Sequence, residues 1–356
     1  MADKIFSELK VIELASVLAG PSVGMFFAEL GARVIKYENK LQNGDVTRSW
    51  KLPSEGENSI SAYFSSINYN KEYVLIDYKN EAEYDALITE IKKSDIIICN
   101  FKHGAAEKFK LDYSTLSLIN SKLIYCQLNG FESNPDRVAF DVVIQAETGY
   151  MYMNGPTDGD PTKMPLAMMD ILAGHQMKEG ILTALWKREQ TKKGSYVECS
   201  LETAAIASLA NQATNYLMAN KIPTRIGSLH PNIAPYGEVF KTYDEKLVVL
   251  AIGSEAHFKK LLTIIGAEEL LDRKELSSNK IRVQNRILLH QLLSPYFAQL
   301  KCAPLIKSCI AVDVPIGEIK NLEQVFQSEV ASKMILEEDI QGSVTRRVQS
   351  VAFRIQ

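Results

Sequence analysis

"LKVIELASVLAGPSVGMFFAELGARVIKYE", residues 9–38, sets two short apolar runs on either side of one helical pattern. "KVIELA" and "ARVIKYE" have the β-branched, apolar character of buried strands, and "SVGMFFAELG" between them reads as a helix. A strand, a helix and a strand within roughly 30 residues make a βαβ crossover, which joins two parallel strands. Pro21 fits the start of that helix, where its missing N–H would have no partner anyway. The alternation continues through "EAEYDALITEIKKS" as a helix and "YVLIDYK", "DIIICN" and "KLIYCQLNG" as strands. The fold class is therefore α/β with a parallel sheet. Such sheets bind ligands beyond the carboxyl ends of their strands, which draws attention to Ser16–Pro21, Asn39–Asp45, Lys79 and Asn100–Gly104.

The first crossover also invites a dinucleotide reading, with Glu38 where a ribose-binding carboxylate would stand. The glycines refuse it. Only Gly20 and Gly24 are present, with Pro21 between them, and the G-x-G-x-x-G turn is missing.

Composition removes several function classes. Among 356 residues, 43 acidic side chains face 40 basic ones for a formal charge of −3, so there is no basic field to hold nucleic acid. No run approaches the roughly 20 apolar residues of a membrane span, and "MADKIFSELK" has no apolar signal core. The expectation is a cytoplasmic protein. The cysteines (Cys99, Cys126, Cys199, Cys302, Cys309) form no CxxC pair and suit reduced thiols, so no metal site is expected. His103, His175, His230, His257 and His290 make no HxxxH pair, and no serine stands in a GxSxG elbow.

After Gly130 comes a loop-rich stretch ending in "MNGPTDGDPTKMP", then "PLAMMDILAGHQMKEGILTALWKRE". Here Asp170 stands between apolar runs. Either it caps the helix, accepting from the amides of Leu172 or Ala173, or it is a nucleophile whose anion the helix start stabilises. "GSYVECSLE" reads as a second sheet-like piece, and Thr203 to Asn220 as one long helix. "GEVFKTYDEKLVVLAIGS" reads as a hairpin turning at Asp244 and Glu245, the start of a new unit, with helices from His257 to about Ser308 and a strand-like tail.

Lysines and asparagines recur after the strand ends: Asn39, Lys40, Lys79, Asn100, Lys102 and Lys108. Singly they are solvated surface; together on one sheet edge they would make a polyphosphate cradle.

Taken in order, "LKVIELASVLAGPSVGMFFAELGARVIKYE", "GDVTRSW", "SINYNKEYVLIDYK", "CNFKHGAAEKFKLDY", "FDVVIQAETGY", "PLAMMDILAG" and "KKGSYVECSLETA" resemble the class III coenzyme A transferases. "DVPIGEIKNLEQVF" resembles a segment near that family's C-terminus. The resemblance implies a large Rossmann-like domain (1–205, completed by about 325–356), a linker helix region (206–225) and a smaller α+β domain (226–324). It also implies two copies interlocked as a homodimer. Asp170 becomes the acyl-accepting nucleophile, and coenzyme A contacts fall on Leu18, Ala19, Asn39, Ile76, Asp77, Tyr78, Lys79, Asn100, Phe101, Lys102 and Lys108. Arginine is frequent in the family at the positions of Asn39 and Lys108, so phosphate contacts shift toward Lys40. Phe140, Asp141 and Tyr63 match positions near the family's active site.

The implied activity moves coenzyme A from an acyl-CoA donor to a small carboxylic acid, with coenzyme A as substrate and no resident cofactor. Two alternatives compete with it. The same fold hosts α-methylacyl-CoA racemases, which use a histidine and an aspartate as paired bases. In "RVAFDVVIQA" Phe140 stands where that histidine would be, and one base cannot readily serve both faces of a carbon. A coenzyme A-binding paralogue without turnover is the other, and the retained Asp170 speaks against it. The loop at Gly155 to Lys163, expected to shape acyl specificity, has no readable pattern, and no glycine-rich lid sequence appears.

Overall fold

The computed structural model describes residues 4–355. The chain divides into two compact units: the chain through Tyr150 with Lys163–Ile222 and the stretch from Ser332 onward, and Met151–Thr162 with Pro223–Ala331.

The first unit is built on a six-stranded parallel sheet of order β3-β2-β1-β4-β5-β6. Its strands are β1 (Lys10–Leu14), β2 (Arg33–Asn39), β3 (Lys71–Ile76), β4 (Ile96–Cys99), β5 (Ile124–Asn129) and β6 (Ser195–Ser200). The opening crossover forms as read, with a first helix at Ala19–Glu29. "GSYVECSLE", read as sheet-like, joins this same sheet. It is β6, laid parallel to β5 after a long crossover. The expected helix from Thr203 to Asn220 is two, Leu201–Ala207 and Ala210–Ala219, because Ala210 takes a left-handed φ of 46° that a continuous helix cannot absorb.

Order 3-2-1-4 places the reversal of strand order between β1 and β4, and two aligned charges hold that centre. Glu13 of β1 pairs in register with Lys36 of β2. Both are fully buried. Lys36 Nζ donates to Glu13 Oε1 at 2.9 Å and to the Ala15 carbonyl at 2.6 Å, and lies 3.0 Å from Asp45 Oδ2. Lys71 Nζ lies 2.8 Å from Glu13 Oε2. Its three protons go to the carbonyls of Pro21 and Ile67 and to Asn68 Oδ1, so that contact with Glu13 is electrostatic. Two cations thus face two carboxylates out of water.

The two lysines respond differently. Burial pulls the Lys36 pKa down, but Glu13, Asp45 and Glu38 together raise it above the usual lysine value. Lys71 has Glu13 as its main carboxylate partner and Lys36 as a repelling neighbour, so burial prevails and its pKa falls to about 8. Gly24 makes room for this cluster, since a Cβ there would stand 1.9 Å from Glu13 Oε2. The glycine that failed as a nucleotide fingerprint is a packing glycine.

The first unit ends in an antiparallel hairpin, Ile335–Ile340 with Ser343–Val348. Buried Arg347 ties it to the body through the Asn68 carbonyl, and Glu29 accepts the amides of Ser350 and Val351.

The second unit carries a three-stranded antiparallel sheet, Tyr236–Lys241, Leu247–Ala251 and Ile316–Glu318. The expected hairpin is present, with Glu245 left-handed at φ 62° and Asp244 accepting from the Cys302 amide at 3.0 Å. Helices Glu255–Ile265, Arg286–Phe297 and Cys302–Ala311 pack on it around Phe240, Leu261, Leu289 and Phe297. Within this unit Arg225 fixes the loop after Gly155 by donating to the Gly159 carbonyl at 3.0 Å.

Removing one cation from the buried cluster should expose its cost. Lys36→Met leaves Glu13 and Asp45 without their shared partner and should lower the unfolding free energy by about 3–5 kcal/mol. Urea unfolding followed by circular dichroism measures it. Arg346→Ala, which breaks an exposed pair with Glu337, should barely move the midpoint.

Candidate active site

Asp170 lies in the first turn of the Met168–Thr191 helix, 8 % exposed. It is not the cap. The cap position is Ala167, no side chain fills it, and Asp170 sits three residues further on. Other groups take the helix-start amides: Asp141 Oδ1 accepts from Met169 at 2.6 Å, the Leu166 carbonyl from Met168 at 2.8 Å, and the Ala167 carbonyl from Ile171 at 3.1 Å. Asp170 makes no side-chain hydrogen bond among the described residues.

The carboxylate opposite it is fully occupied. Asp141 opens the Asp141–Glu147 helix, giving Oδ1 to Met169 and accepting from Gln145 Nε2 at 2.5 Å on Oδ2. Gln145 is fully buried and its Oε1 accepts from the Met164 amide at 2.7 Å. Both Asp141 oxygens are thereby engaged beside Asp170. Burial, and then the Asp141 charge, push the Asp170 pKa from 3.8 up to about 7. The helix dipole works the other way but is worth about 2 kcal/mol at most, less than the roughly 4 kcal/mol this rise represents. Near neutral pH the group is poised between acid and nucleophile.

One small residue lets the helices approach. Gly174 faces the first helix, since a Cβ there would meet Ser22 Oγ at 2.5 Å and the Ala19 carbonyl at 3.3 Å. One turn on, Lys178 lies over the Phe26 ring at 5.4 Å. Both helices therefore advance in the same direction. Asp170, one turn before Gly174 on the same face, falls level with the Ser16–Leu18 turn.

Tyr63 completes the surroundings. Burial raises its pKa to about 12, helped by the charges of Asp170, Asp141 and Asp45, so it stays a neutral hydroxyl. Its ring meets Trp50 edge-on with centroids 5.0 Å apart. Phe140, half exposed, precedes Asp141 and carries no acid or base.

The residues proposed for coenzyme A gather along the sheet's carboxyl edge in different ways. Asn39 caps the Lys40–Gln42 turn, and Lys40 pairs with Glu83 at 3.2 Å. Ile76 is core. Asp77 is spent on the Lys79 amide. Tyr78 packs against Phe109 at 5.0 Å and Phe101 at 6.3 Å. A cavity of about 360 Å³ is lined by Tyr78, Lys79, Tyr84, Lys108 and Phe109. Neither Lys79 nor Lys108 has an ion-pair partner among the described residues. Phe101 and Lys102 line a second cavity, of about 510 Å³. Asn100 is turned inward, onto the Ser16 backbone.

Sequence reasoning reached Val17 and Asp45 only as members of strand-end stretches, with no role for either, and passed over Gln145. The "GDVT" pattern carried a signal for Asp45, whose Oδ1 accepts from the Thr47 amide and hydroxyl in an Asx turn. Val17 was marked only by its place after the first strand, and Gln145 had no signal in the sequence.

Comparison with known proteins shows the family of the chain. The family model described as CoA-transferase family III matches residues 6–356. A succinate–glutarate CoA-transferase of Agrobacterium fabrum is 36% identical over 90% of this chain and 81% of its own length. An acetyl-CoA:oxalate CoA-transferase of Acetobacter aceti is 32% identical over 90% of this chain and 82% of its own. The crystal structure of a CaiB/BaiF family protein from Brucella suis superposes with a TM-score of 0.85 at 34% identity, covering 100% of this chain and 93% of that one.

The raised pKa of Asp170 has a cost that a substitution should reveal. Folded Asp170 keeps its proton to about pH 7, whereas unfolded it releases it near 3.8. Between those values the folded chain binds more protons, so its stability falls as pH rises. Asp170→Asn should therefore be more stable than the parent at pH 8, by up to about 4 kcal/mol. The difference should shrink as pH drops and vanish near pH 4; equal unfolding midpoints at pH 8 would mean that Asp170 is not destabilised.

Proposed function

This chain belongs to CoA-transferase family III, and on that premise we propose that it moves coenzyme A between carboxylic acids through a covalent intermediate on Asp170. The observation that carries the reading is a buried carboxylate with no hydrogen-bond partner, at the start of a helix and beside a carboxylate whose oxygens are both engaged.

In this mechanism ionised Asp170 attacks the thioester carbonyl carbon of the donor. The tetrahedral adduct collapses, the C–S bond breaks, and coenzyme A thiolate departs from an Asp170–acyl anhydride. The thiolate then attacks the aspartyl carbonyl, releasing the donor acid and leaving an aspartyl-CoA thioester. An acceptor carboxylate attacks that thioester to form a second anhydride and free the thiolate. Attack of the thiolate on the acceptor's acyl carbon gives the new acyl-CoA and restores Asp170. Water would hydrolyse either anhydride, which is why the apolar surroundings of Asp170 matter. Neutral Tyr63 can donate to an oxygen that gains charge, and Asp141 holds the helix start in place.

Coenzyme A would lie along the carboxyl edge of the sheet. The aromatic walls of the cavity at Tyr78 and Phe109 suit the adenine, and unpaired Lys79 and Lys108 suit the phosphates. For the acids we favour short dicarboxylates of four or five carbons, on the strength of the relatives named for succinate and glutarate. We also infer a homodimer. The Ala210–Ala219 helix buries no residue, contains no charged side chain, and exposes Tyr216, Leu217 and Met218. A second copy is the occupant that family membership favours for that face.

Several outcomes test this reading. Incubation with succinyl-CoA and quenching in hydroxylamine should place a hydroxamate on Asp170, only when the donor is present. Turnover without that mark would remove the covalent route. Asp170→Asn should lose at least about a thousandfold in transfer rate. The acid limb of the rate profile should fall near pH 7 and move to lower pH in Asp141→Asn, which removes the neighbouring charge. Paired acyl-CoA donors and acids read by mass should give the best turnover with succinate and glutarate. Leu217→Glu with Met218→Glu should lower the mass measured by light scattering to that of one chain.

A further inference from the structure

Val17 has a φ of 73°. This left-handed conformation is rare for any side chain and a real outlier for a β-branched one. Such strain persists only where surrounding contacts enforce it. Here the contacts are identifiable. Asn100 grips the preceding residue from both sides, accepting from the Ser16 amide at 3.1 Å and donating to the Ser16 carbonyl at 2.9 Å. Asp45 Oδ1 accepts from the Val17 amide at 3.4 Å. Asp45 is itself fixed by Lys36 at 3.0 Å and by the Thr47 amide at 3.0 Å, and its pKa stays low because these outweigh its burial.

The enforced turn opens directly into the first helix. Leu18 occupies its cap position without a side-chain cap, and the amides of Leu18, Ala19 and Gly20 find no acceptor among the described residues. Asp170, more than nine-tenths buried and unbonded, lies level with this turn on the facing helix.

We propose that Asn100 and Asp45 are positioning residues for the transfer reaction: by holding Val17 left-handed, they aim the free amides at the start of the first helix toward the thioester oxygen that gains charge when Asp170 attacks. The inference rests on the reading of Asp170 as nucleophile. It gives Asn100 a role different from the coenzyme A contact that family resemblance implies. Donors arranged before the reaction are effective because they need no reorganisation as charge develops, and a displacement of about 1 Å can cost on the order of a hundredfold in rate.

Glycine at position 17 supplies the test, since glycine adopts a positive φ without steric penalty. Asn100→Ala should lower kcat by roughly 10- to 100-fold, with KM for the acyl-CoA nearly unchanged. Adding Val17→Gly should restore most of the loss, because the turn no longer has to be forced. Single-turnover acylation of Asp170, read as hydroxamate, should slow and recover in parallel. A loss confined to KM would make Asn100 a ligand contact and overturn the proposal, and so would a double variant as slow as Asn100→Ala. Should Asn100→Ala fail to fold, Asn100→Asp, which keeps the acceptor and loses the donor, is read in the same pair with Val17→Gly. Absence of hydroxamate in the unmodified protein would remove the Asp170 reading and this proposal together. A mark at Asp170 without rescue by Val17→Gly would remove the clamp alone.

Discussion

Four charges buried between the first helix and the first three strands organise the rest of the large unit. Glu13, Lys36, Asp45 and Lys71 are out of water, and each alone would cost several kcal/mol to bury. Together they are neutral. They also fix geometry that an apolar core would leave free. Lys36 draws the Ala15 carbonyl at the end of β1 toward Asp45, and Lys71 draws the Pro21 carbonyl of the first helix toward β3. Strand end and helix start, on either side of the Ser16–Leu18 turn, are thereby tied to one electrostatic centre.

The parallel contact of two helices carries that order to the chemistry. Gly174 against Ser22 and Ala19 sets the axial register between the first helix and the long one, and the register brings Asp170 level with the turn. A larger residue at 174 would have to push the helices apart or shift them along their axes. Asp141 acts on the same helix by accepting from the Met169 amide at its start. That division of labour separates two carboxylates. Asp141 has both oxygens hydrogen-bonded, while burial and then the Asp141 charge let Asp170 keep its proton to about pH 7.

Much of this was legible in the chain, and the limits are physical. β1 to β5 and the first crossover follow from local apolar periodicity, which is a short-range signal. The charge pair at the centre was half visible, as Glu13 and Lys36 each interrupt an apolar strand run, but only the register of β1 against β2 makes them partners. "GSYVECSLE" was readable as sheet-like, but its neighbour β5 was not, because strand neighbours depend on a crossover of some 60 residues that no local pattern encodes. The broken helix at Ala210 was unreadable, since its residues are acceptable in a helix and the break is a matter of backbone conformation.

At the site the division is sharper. Sequence by itself determined which chemistry was available: a carboxylate among apolar residues, and lysines following parallel strands. It also determined the fold class, because alternating strand and helix patterns leave a parallel sheet as the way to bury every strand. Tertiary structure alone decided that Asp170 is not the cap, since the helix starts earlier, with Ala167 at the cap position and Asp170 inside the first turn. It alone turned Asn100 from the ligand edge onto the Ser16 backbone and forced Val17 left-handed. The reason is the same in each case. Composition and spacing fix what a side chain can do, but hydrogen-bond partners and proton affinity depend on groups that are distant in sequence and meet only when the sheet closes its register.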